Sequence, residues 1–283
     1  MIAGSWLNAE EKAKCGKAGR KIGYTRTTIN KHLGRIKLLF RWATEQELIP
    51  TGVLHGLRAV TGLRRGRSSA RETEEVKPVS IAIVEATLPH LPPVVKDMVQ
   101  LLLLTGMRVI ESCIMQGCNI DMTGDIWLYH PERPKNLHRG HKRVIALGPQ
   151  AQAIVRKHLK PRIDAYLFSP AEQDAIIAAE KRVRRKTKVQ PSQLCRKKAR
   201  PKRKPGERFD HNSVNRAIRR ACEQAGVSRW HTHQLRHTAA GEITRKHGLE
   251  AARAVLGQKC VAMAAHYAGI DQAKASEVME KIG

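Results

Sequence analysis

The sequence lacks the long apolar runs that membrane-spanning helices require. Its most apolar stretch, MVQLLLLTGM at 98–107, is far shorter than the roughly 18 residues that cross a bilayer. The first 21 residues show no continuous apolar core after their first positions, so we expect no signal peptide. Both absences argue against a membrane-spanning or secreted protein.

Acidic residues are scarce relative to basic ones. The chain has 25 Asp and Glu against 52 Lys and Arg, which gives a formal net charge of +27. A field of this sign attracts polyanions, and each phosphate that a basic side chain neutralises adds salt-sensitive affinity. The composition favours a nucleic acid as partner over the alternative, an anionic membrane surface.

Paired cysteines are also missing. The six cysteines stand at 15, 113, 118, 195, 222 and 260, without a CxxC pair or a Cys/His cluster at zinc-binding spacing. Cys113 and Cys118 are close in sequence, but no second pair accompanies them. We therefore expect reduced thiols and no metal site.

The spacing of apolar residues predicts a mainly α-helical fold with one small antiparallel β-sheet, an α+β fold. Residues 24–48 and 53–59 show helical spacing, and residues 81–117 predict two or three helices broken by prolines and a glycine. The alternation in GDIWLYHP (124–131) and HKRVIALG (141–148) predicts two antiparallel strands. Further helices are expected at 149–159, 211–226, 233–248, 249–257 and 272–282, with C-caps at Gly226, Gly248 and Gly257.

Composition divides the chain into a helical domain (1–64) that we expect to bind DNA, a polar linker (65–79) and a larger second domain (80–283). Within the second domain, residues 181–208 hold fourteen Lys and Arg, one Glu and three Pro. This stretch has too few large apolar residues for a core, so we interpret it as a loop or a DNA-contacting insert, with a solvated tether as the alternative. The residues expected to contact DNA are Lys31, Arg35, Lys181, Arg182, Arg184, Arg185, Arg196, Lys197 and Lys198.

Two short motifs and a tyrosine that follows them supply side chains that can break a phosphodiester without a metal. TGMRVIES places Arg108 after a Thr-Gly turn at the start of a helix. HQLRH places His233 and Arg236 one helical turn apart, and Tyr267 follows after a further helix and a glycine. Arginine suits phosphate oxygens, histidine suits proton transfer, and tyrosine can attack phosphorus when nearby cations favour the phenolate.

In this order and at these separations, the motifs resemble the catalytic domain of the tyrosine recombinases, the phage integrase family. The resemblance covers roughly residues 78–283, and residues 24–60 resemble the last part of the helical core-binding domain that such proteins carry upstream. The family pattern implies an Arg in T-G-x-R, a Lys in a β-hairpin, H-x-x-R, a His or Trp after L-G, and a nucleophilic Tyr nine residues further on. Arg108, His233, Arg236 and Tyr267 match it.

The resemblance also implies a catalytic lysine and a supporting glutamate. For the hairpin lysine we choose Lys135 in RPKN, with Lys142 as the alternative, because the turn length varies in the family. Glu111, one helical turn from Arg108, is expected to orient that arginine. Ordinary packing, salt-bridge or surface roles are the alternatives for each of these residues, and the ordered set of motifs favours the catalytic ones.

The chain departs from the family pattern at two places. Gln258 stands where His or Trp is expected, and glutamine can donate a hydrogen bond but cannot carry a proton as imidazole does. The upstream domain has room for two convincing helices where relatives have around four. We expect weakened rather than absent chemistry.

The predicted function is site-specific recombination of DNA through a 3′-phosphotyrosyl intermediate, by a homotetramer on paired double-stranded DNA sites. We expect no cofactor, no metal and no membrane partner, and a cytoplasmic, nucleoid-associated location in a bacterium. Two alternatives stay open: a catalytically decayed member that only binds DNA, and an enzyme that relaxes DNA as type IB topoisomerases do.

Overall fold

The computed structural model describes residues 23–74, 76–132, 143–188, 190–191 and 206–257. It divides into two compact units, with the boundary between Val76 and Lys77. The predicted architecture, mainly helical with one small antiparallel sheet, is confirmed. Among the described residues, no helix has both the length and the apolarity to cross a membrane.

The described part of the first unit, residues 23–76 without residue 75, contains two helices, α1 (Arg26–Glu45) and α2 (Thr51–Ala59). Helix α1 starts where the Thr25 hydroxyl accepts a hydrogen bond from the Thr28 backbone N–H, which satisfies one donor of the first turn. No side chain of α1 is buried within this part of the chain. Its exposed apolar residues include Leu38, Leu39 and Trp42.

The segment after α2 returns to the start of α1. The Asn30 side chain exchanges two hydrogen bonds with the Leu63 backbone, at 3.0 and 2.7 Å. The Arg26 N–H donates to the Arg71 carbonyl at 2.8 Å, and its guanidinium pairs with Glu72 at 2.6 Å. Residues 71–72, inside the stretch predicted as a linker, are therefore bonded to the first helix.

The second unit is built around a buried central helix. The helices in the described part of this unit are α3 (Ile81–Thr87), α4 (Pro93–Thr105), α5 (Val109–Cys113), α6 (Pro149–Lys157), α7 (Pro170–Arg184), α8 (His211–Ala225) and α9 (Thr232–Leu256). Helix α4 places Met98, Leu101 and Leu102 in the core, none of them more than 1% exposed. It ends at Gly106, whose left-handed conformation (φ 61°) lets the chain turn away.

The sheet has three short antiparallel strands in the order β1 (Ile120–Asp121), β2 (Trp127–Tyr129) and β3 (Ile145–Leu147). Strands β2 and β3 are the two that alternation predicts, and their register pairs Trp127 with Leu147 and Tyr129 with Ile145. Strand β1 was not predicted, because two residues are too few to show a period. The turn between β2 and β3, residues 133–142, lies outside the described residues.

Helix α7 corrects the sequence interpretation of the basic stretch. The loop predicted from residue 181 is wrong for Lys181, Arg182 and Arg184, which form the last turn of this 15-residue helix. Ser169 caps its first turn by accepting from the Glu172 backbone N–H at 3.2 Å. Basic side chains are favourable in a last turn because they face the partial negative charge of the helix C-terminus.

The predicted break between two helices at Gly248 is confirmed. Element α9 consists of two helical parts joined across a kink at Gly248, which has φ 84° and ψ 170°. The other two expected caps agree with the structure, since Gly226 and Gly257 end their helices in the left-handed conformation. A kink and a cap both use the glycine freedom at positive φ, so the sequence signal is the same for both.

A buried histidine joins three elements of the second unit. His158, which follows α6, donates or accepts through both ring nitrogens, with Nδ1 2.8 Å from Glu172 Oε1 on α7 and Nε2 2.9 Å from Asp97 Oδ2 on α4. Lys157 Nζ lies 3.5 Å from Asp97 Oδ1, and Lys160 Nζ lies 3.4 Å from Glu172 Oε2. Burial alone lowers the pKa of His158, but the hydrogen bonds to Asp97 and Glu172 outweigh it and raise that pKa.

We predict that His158 makes stability depend on pH. Because its folded pKa is raised, its contribution is complete below the unfolded value of about 6.5 and is lost as pH rises through the folded pKa. His158→Gln should lower the free energy of unfolding by about 1–3 kcal/mol at pH 6, and by less at pH 9. Urea unfolding between pH 6 and 9 measures this, with exposed His90→Gln as control. A difference between wild type and His158→Gln that stays constant over this range would contradict the prediction.

Candidate active site

A tight turn places Arg108 at the start of a helix. Gly106 ends α4, and Arg108 is the N-cap residue of α5. A β-carbon at Gly106 would lie 2.7 Å from Leu256 Cδ2, so the turn needs glycine for its conformation and for this close approach. The T-G-x-R motif therefore corresponds to a helix stop followed at once by a helix start.

Glu111 holds Arg108 through two bonds. Its Oε2 accepts from the Arg108 backbone N–H at 2.6 Å, and its Oε1 accepts from Arg108 Nη1 at 3.0 Å. The Glu111 side chain is 3% exposed and that of Arg108 is 30% exposed. The arginine thus has a fixed base and an accessible guanidinium, which is the orienting contact that the sequence predicts.

Arg236 ties this turn to the end of α9. It lies in the first turn of α9 and is 2% exposed. Its Nη1 donates to the Gly106 carbonyl at 2.5 Å and its Nη2 to the Leu256 carbonyl at 2.8 Å. The partial negative charge of a helix C-terminus favours a cation at this place.

Three histidines, at positions 231, 233 and 237, lie close to Arg236 in sequence at the start of α9. His233 is exposed, and its ring stands edge-on to that of buried His237 with centroids 4.9 Å apart. His231 is the N-cap residue, and its backbone N–H donates to Gln234 Oε1 at 3.1 Å. His231 is thus part of the N-terminal cap of α9, and Trp230, the residue before it, is buried in the core.

Arg143 is a member of this cluster that sequence reasoning missed. It is 8% exposed, donates from Nη1 to the Val255 carbonyl at 3.2 Å, and places Nε 3.8 Å from Glu111 Oε1. Arg143, Ile145 and Leu147 alternate with exposed residues, so the arginine occupies the inward face of the strand pattern. A charged residue at an inward position was the signal that could have found it.

The cluster carries an excess of positive charge. Two guanidinium groups, those of Arg108 and Arg143, lie at the Glu111 carboxylate, and the Arg236 guanidinium bonds to the Gly106 carbonyl, two residues before Arg108. Burial lowers the pKa of Arg143, Glu111 raises it and Arg108 lowers it, yet a guanidinium stays charged in proteins. The arrangement can bind and neutralise an anion such as a phosphate. In the described ranges, no His, Cys, Asp and Glu side chains group as metal ligands.

The structure brings together Arg108, Glu111, Arg236 and, on the same turn, His233. Lys31 and Arg35 are exposed on α1 in the first unit, and Lys181, Arg182, Arg184 and Arg185 are exposed at the end of α7. The remaining predicted site residues lie outside the described residues: Lys135 with its alternative Lys142, Arg196, Lys197, Lys198, Gln258 and Tyr267.

Comparison with known proteins identifies a family and a fold. The model of the phage integrase family matches residues 82–274. No curated protein matches the sequence. The Tn1549 transposon integrase in complex with a circular intermediate DNA is similar in structure, with a TM-score of 0.59 and 15% identity over 92% of this chain and 81% of that chain. A lambda integrase dimer bound to a COC' core site gives a TM-score of 0.54 and 16% identity over 87% of this chain and 80% of that chain.

We predict that Glu111 is worth far more stability than an exposed acid in an ion pair. Glu111→Ala leaves two arginines without their shared carboxylate and should lower the free energy of unfolding by about 3 kcal/mol. The matched control is Glu223→Ala, which removes an exposed ion pair in which Glu223 Oε1 lies 2.9 Å from Arg229 Nη2. This change should lower the free energy of unfolding by less than about 0.5 kcal/mol. Urea unfolding of both variants measures the difference, and equal costs would contradict the prediction.

Proposed function

The chain belongs to the phage integrase family of site-specific tyrosine recombinases, and we propose that Tyr267 is the residue with which it cuts DNA. The observation that carries the proposal is the arginine cluster around Glu111. Glu111 holds Arg108 with an accessible guanidinium, and Arg236 bonds to the Gly106 carbonyl of the turn that precedes Arg108, which supports a phosphate-binding site. The matched region, residues 82–274, includes these residues and Tyr267.

The proposed reaction exchanges one phosphodiester bond for another. The Tyr267 oxygen attacks the scissile phosphorus, a bond from tyrosine to phosphorus forms, and the bond to the 5′-oxygen breaks. The Tyr267 hydroxyl loses its proton as its oxygen bonds to phosphorus, and Lys135 gives a proton to the leaving 5′-oxygen. His233 assists proton transfer or holds the phosphate. The 5′-hydroxyl of another strand then reverses these steps, so the broken bond is resealed without ATP.

The arginines stabilise the charge that develops on the non-bridging oxygens. Arg108 has the more accessible side chain of the two motif arginines and contacts the phosphate in this proposal. Arg236 is buried, and its bonds to the Gly106 and Leu256 carbonyls support a second role. It fixes the turn from which Arg108 projects.

Double-stranded DNA is the substrate, and two exposed basic surfaces support this. Lys31 and Arg35 lie one helical turn apart on α1, and four basic residues from Lys181 to Arg185 end α7. Such side chains contact backbone phosphates and position a protein on the duplex. The lambda and Tn1549 integrase structures are DNA complexes. We propose that four protomers act on two duplexes, at the nucleoid in a bacterial cytoplasm.

A second candidate is a family member with weakened chemistry that binds DNA. Gln258 favours it, because it stands where the family pattern has His or Trp and glutamine transfers no proton. The remaining charges still act on the transition state, so we propose a slower enzyme and keep a binding-only protein as an outcome of the test.

We predict that a covalent trap identifies Tyr267 as the nucleophile. Wild type, Tyr267→Phe and Gln258→His are incubated with duplex DNA spanning the flanks of the gene, and the reactions are quenched in SDS. Wild type should form a protein–DNA adduct and Tyr267→Phe should form none, because phenylalanine has no oxygen to attack phosphorus. Gln258→His should form the adduct faster, by about 10²-fold or more.

The pattern of adducts separates the alternatives. An adduct in Gln258→His alone would indicate a decayed recombinase. DNA binding without an adduct in any variant would favour the binding-only protein, and an adduct that persists in Tyr267→Phe would overturn the assignment of the nucleophile.

We predict that the end of α7 contributes to the salt dependence of DNA binding. Replacing Lys181, Arg182, Arg184 and Arg185 with alanine should weaken binding to a duplex and reduce the slope of log affinity against log salt, by about 0.9 for each lost phosphate contact. Fluorescence anisotropy at several KCl concentrations measures the slope. Arg229→Ala, which removes an exposed arginine already paired with Glu223, is the control. If the variant with all four alanines had the same slope as wild type, these four side chains would not contact DNA phosphates.

A further inference from the structure

We propose that Arg143 is a positioning residue for strand cleavage: it joins the end of α9 to Glu111 and so sets the place of Arg108 relative to the segment that leads to Tyr267. This inference rests on the proposed function. Arg143 matches none of the motifs from which the site was predicted, and its role follows from three observations.

The first observation is where Arg143 lies. It is buried on the inward side of the sheet, two residues before β3, and its guanidinium reaches the Val255 carbonyl in the last turn of α9. Arg236 takes the next carbonyl, that of Leu256. Two arginines from different elements therefore hold consecutive carbonyls at one helix end, which leaves that end little freedom to shift.

The second observation is the contact with Gly257. A β-carbon at Gly257 would overlap Arg143 Nη1 and would lie 3.0 Å from Cζ. Gly257 also has φ 59°, which L side chains rarely adopt. The Arg143 guanidinium thus occupies the space that a side chain at residue 257 would fill, so Gly257 permits this close contact. After Gly257 the chain continues to Gln258 and, nine residues later, to Tyr267.

The third observation is the carboxylate that Arg143 shares with Arg108. Glu111 Oε1 lies 3.0 Å from Arg108 Nη1 and 3.8 Å from Arg143 Nε. Among the described residues, Nε and Nη2 of Arg143 have no hydrogen-bond partner. A buried cation with unpartnered donors is costly, and an apolar side chain of similar volume would cost less. We infer that the charge is retained for the reaction.

Three variants test the inference. Arg143→Leu removes the positive charge and all hydrogen-bond donors of the side chain. Arg143→Lys keeps a positive charge near Glu111 but loses the branched guanidinium group that also reaches the Val255 carbonyl. The matched control is Gln152→Leu. Gln152 is similarly buried, and its Nε2 donates to two backbone carbonyls, Asp125 at 2.6 Å and Leu147 at 3.0 Å. Within the described part of the chain, its side chain makes no hydrogen bond to the arginine cluster.

The first measurement is the rate of adduct formation on the gene-flank duplex. Arg143→Leu should slow the reaction by about 100-fold while duplex affinity changes less than about twofold, because a small displacement of reacting groups costs this much. Arg143→Lys should lie between it and wild type, and Gln152→Leu should react at nearly the wild-type rate. A wild-type rate in Arg143→Leu overturns the inference.

A methylphosphonate at the scissile position separates positioning from general loss of structure. It removes one negative charge that Arg108 would otherwise have to neutralise. If Arg143 acts through Arg108, the defect of Arg143→Leu should shrink by about tenfold or more on this substrate. An equal defect on both substrates overturns the inference.

An anion titration tests the inference without strand cleavage. Thermal unfolding is measured in potassium phosphate and in KCl of equal ionic strength, and the part of the phosphate-induced rise in Tm that Arg108→Ala abolishes is assigned to the site. Wild type and Gln152→Leu should show this rise, and Arg143→Leu should lose most of it. A rise that Arg143→Leu retains, or that wild type lacks, overturns the inference. If wild type forms no adduct, the proposed function fails by itself and this titration still decides the role of Arg143.

Discussion

The burial of arginine guanidinium groups against one carboxylate and one helix end is the constraint on which the second unit depends. Arg236 and Arg143 each bond to a carbonyl in the last turn of α9, and Glu111 lies between Arg143 and Arg108. Isolated buried charges are expensive, so each of these groups is tolerable only while its partners stay in place. The turn after α4, the start of α5, the strand β3 and the end of α9 are thereby held as one arrangement.

This arrangement suits chemistry on a phosphodiester because some of its charged side chains hold the site in place while another stays accessible to a phosphate. The buried arginine at 236 and the buried glutamate at 111 bond to backbone and to other charges, whereas Arg108 keeps an accessible guanidinium. Preorganised charge stabilises a transition state without reorganising during the reaction, which is the largest contribution in many enzymes. In the proposed mechanism, Gln258 affects proton transfer and does not change the charges of the arginines.

A second buried charge cluster lies elsewhere in the same unit and has a different role. His158 joins Asp97 on α4 to Glu172 on α7, and so anchors the helix whose last turn carries Lys181, Arg182 and Arg184. The basic end of α7 therefore projects from a fixed base. In both clusters, a hydrogen-bonded ion pair holds a helix that presents positive charge.

Local spacing in the sequence determined the mainly helical fold and strands β2 and β3, because each of these signals lies within one or two turns of chain. The resemblance to the tyrosine recombinases, carried by short motifs, indicated Arg108, Glu111, His233 and Arg236. Only the tertiary structure decided the rest. Arg143 meets Val255 across 112 residues, and Arg236 meets Gly106 across 130. The His158 cluster spans 61 residues to Asp97. No periodicity encodes such contacts, since they arise where packed elements meet and a buried charge finds its partner.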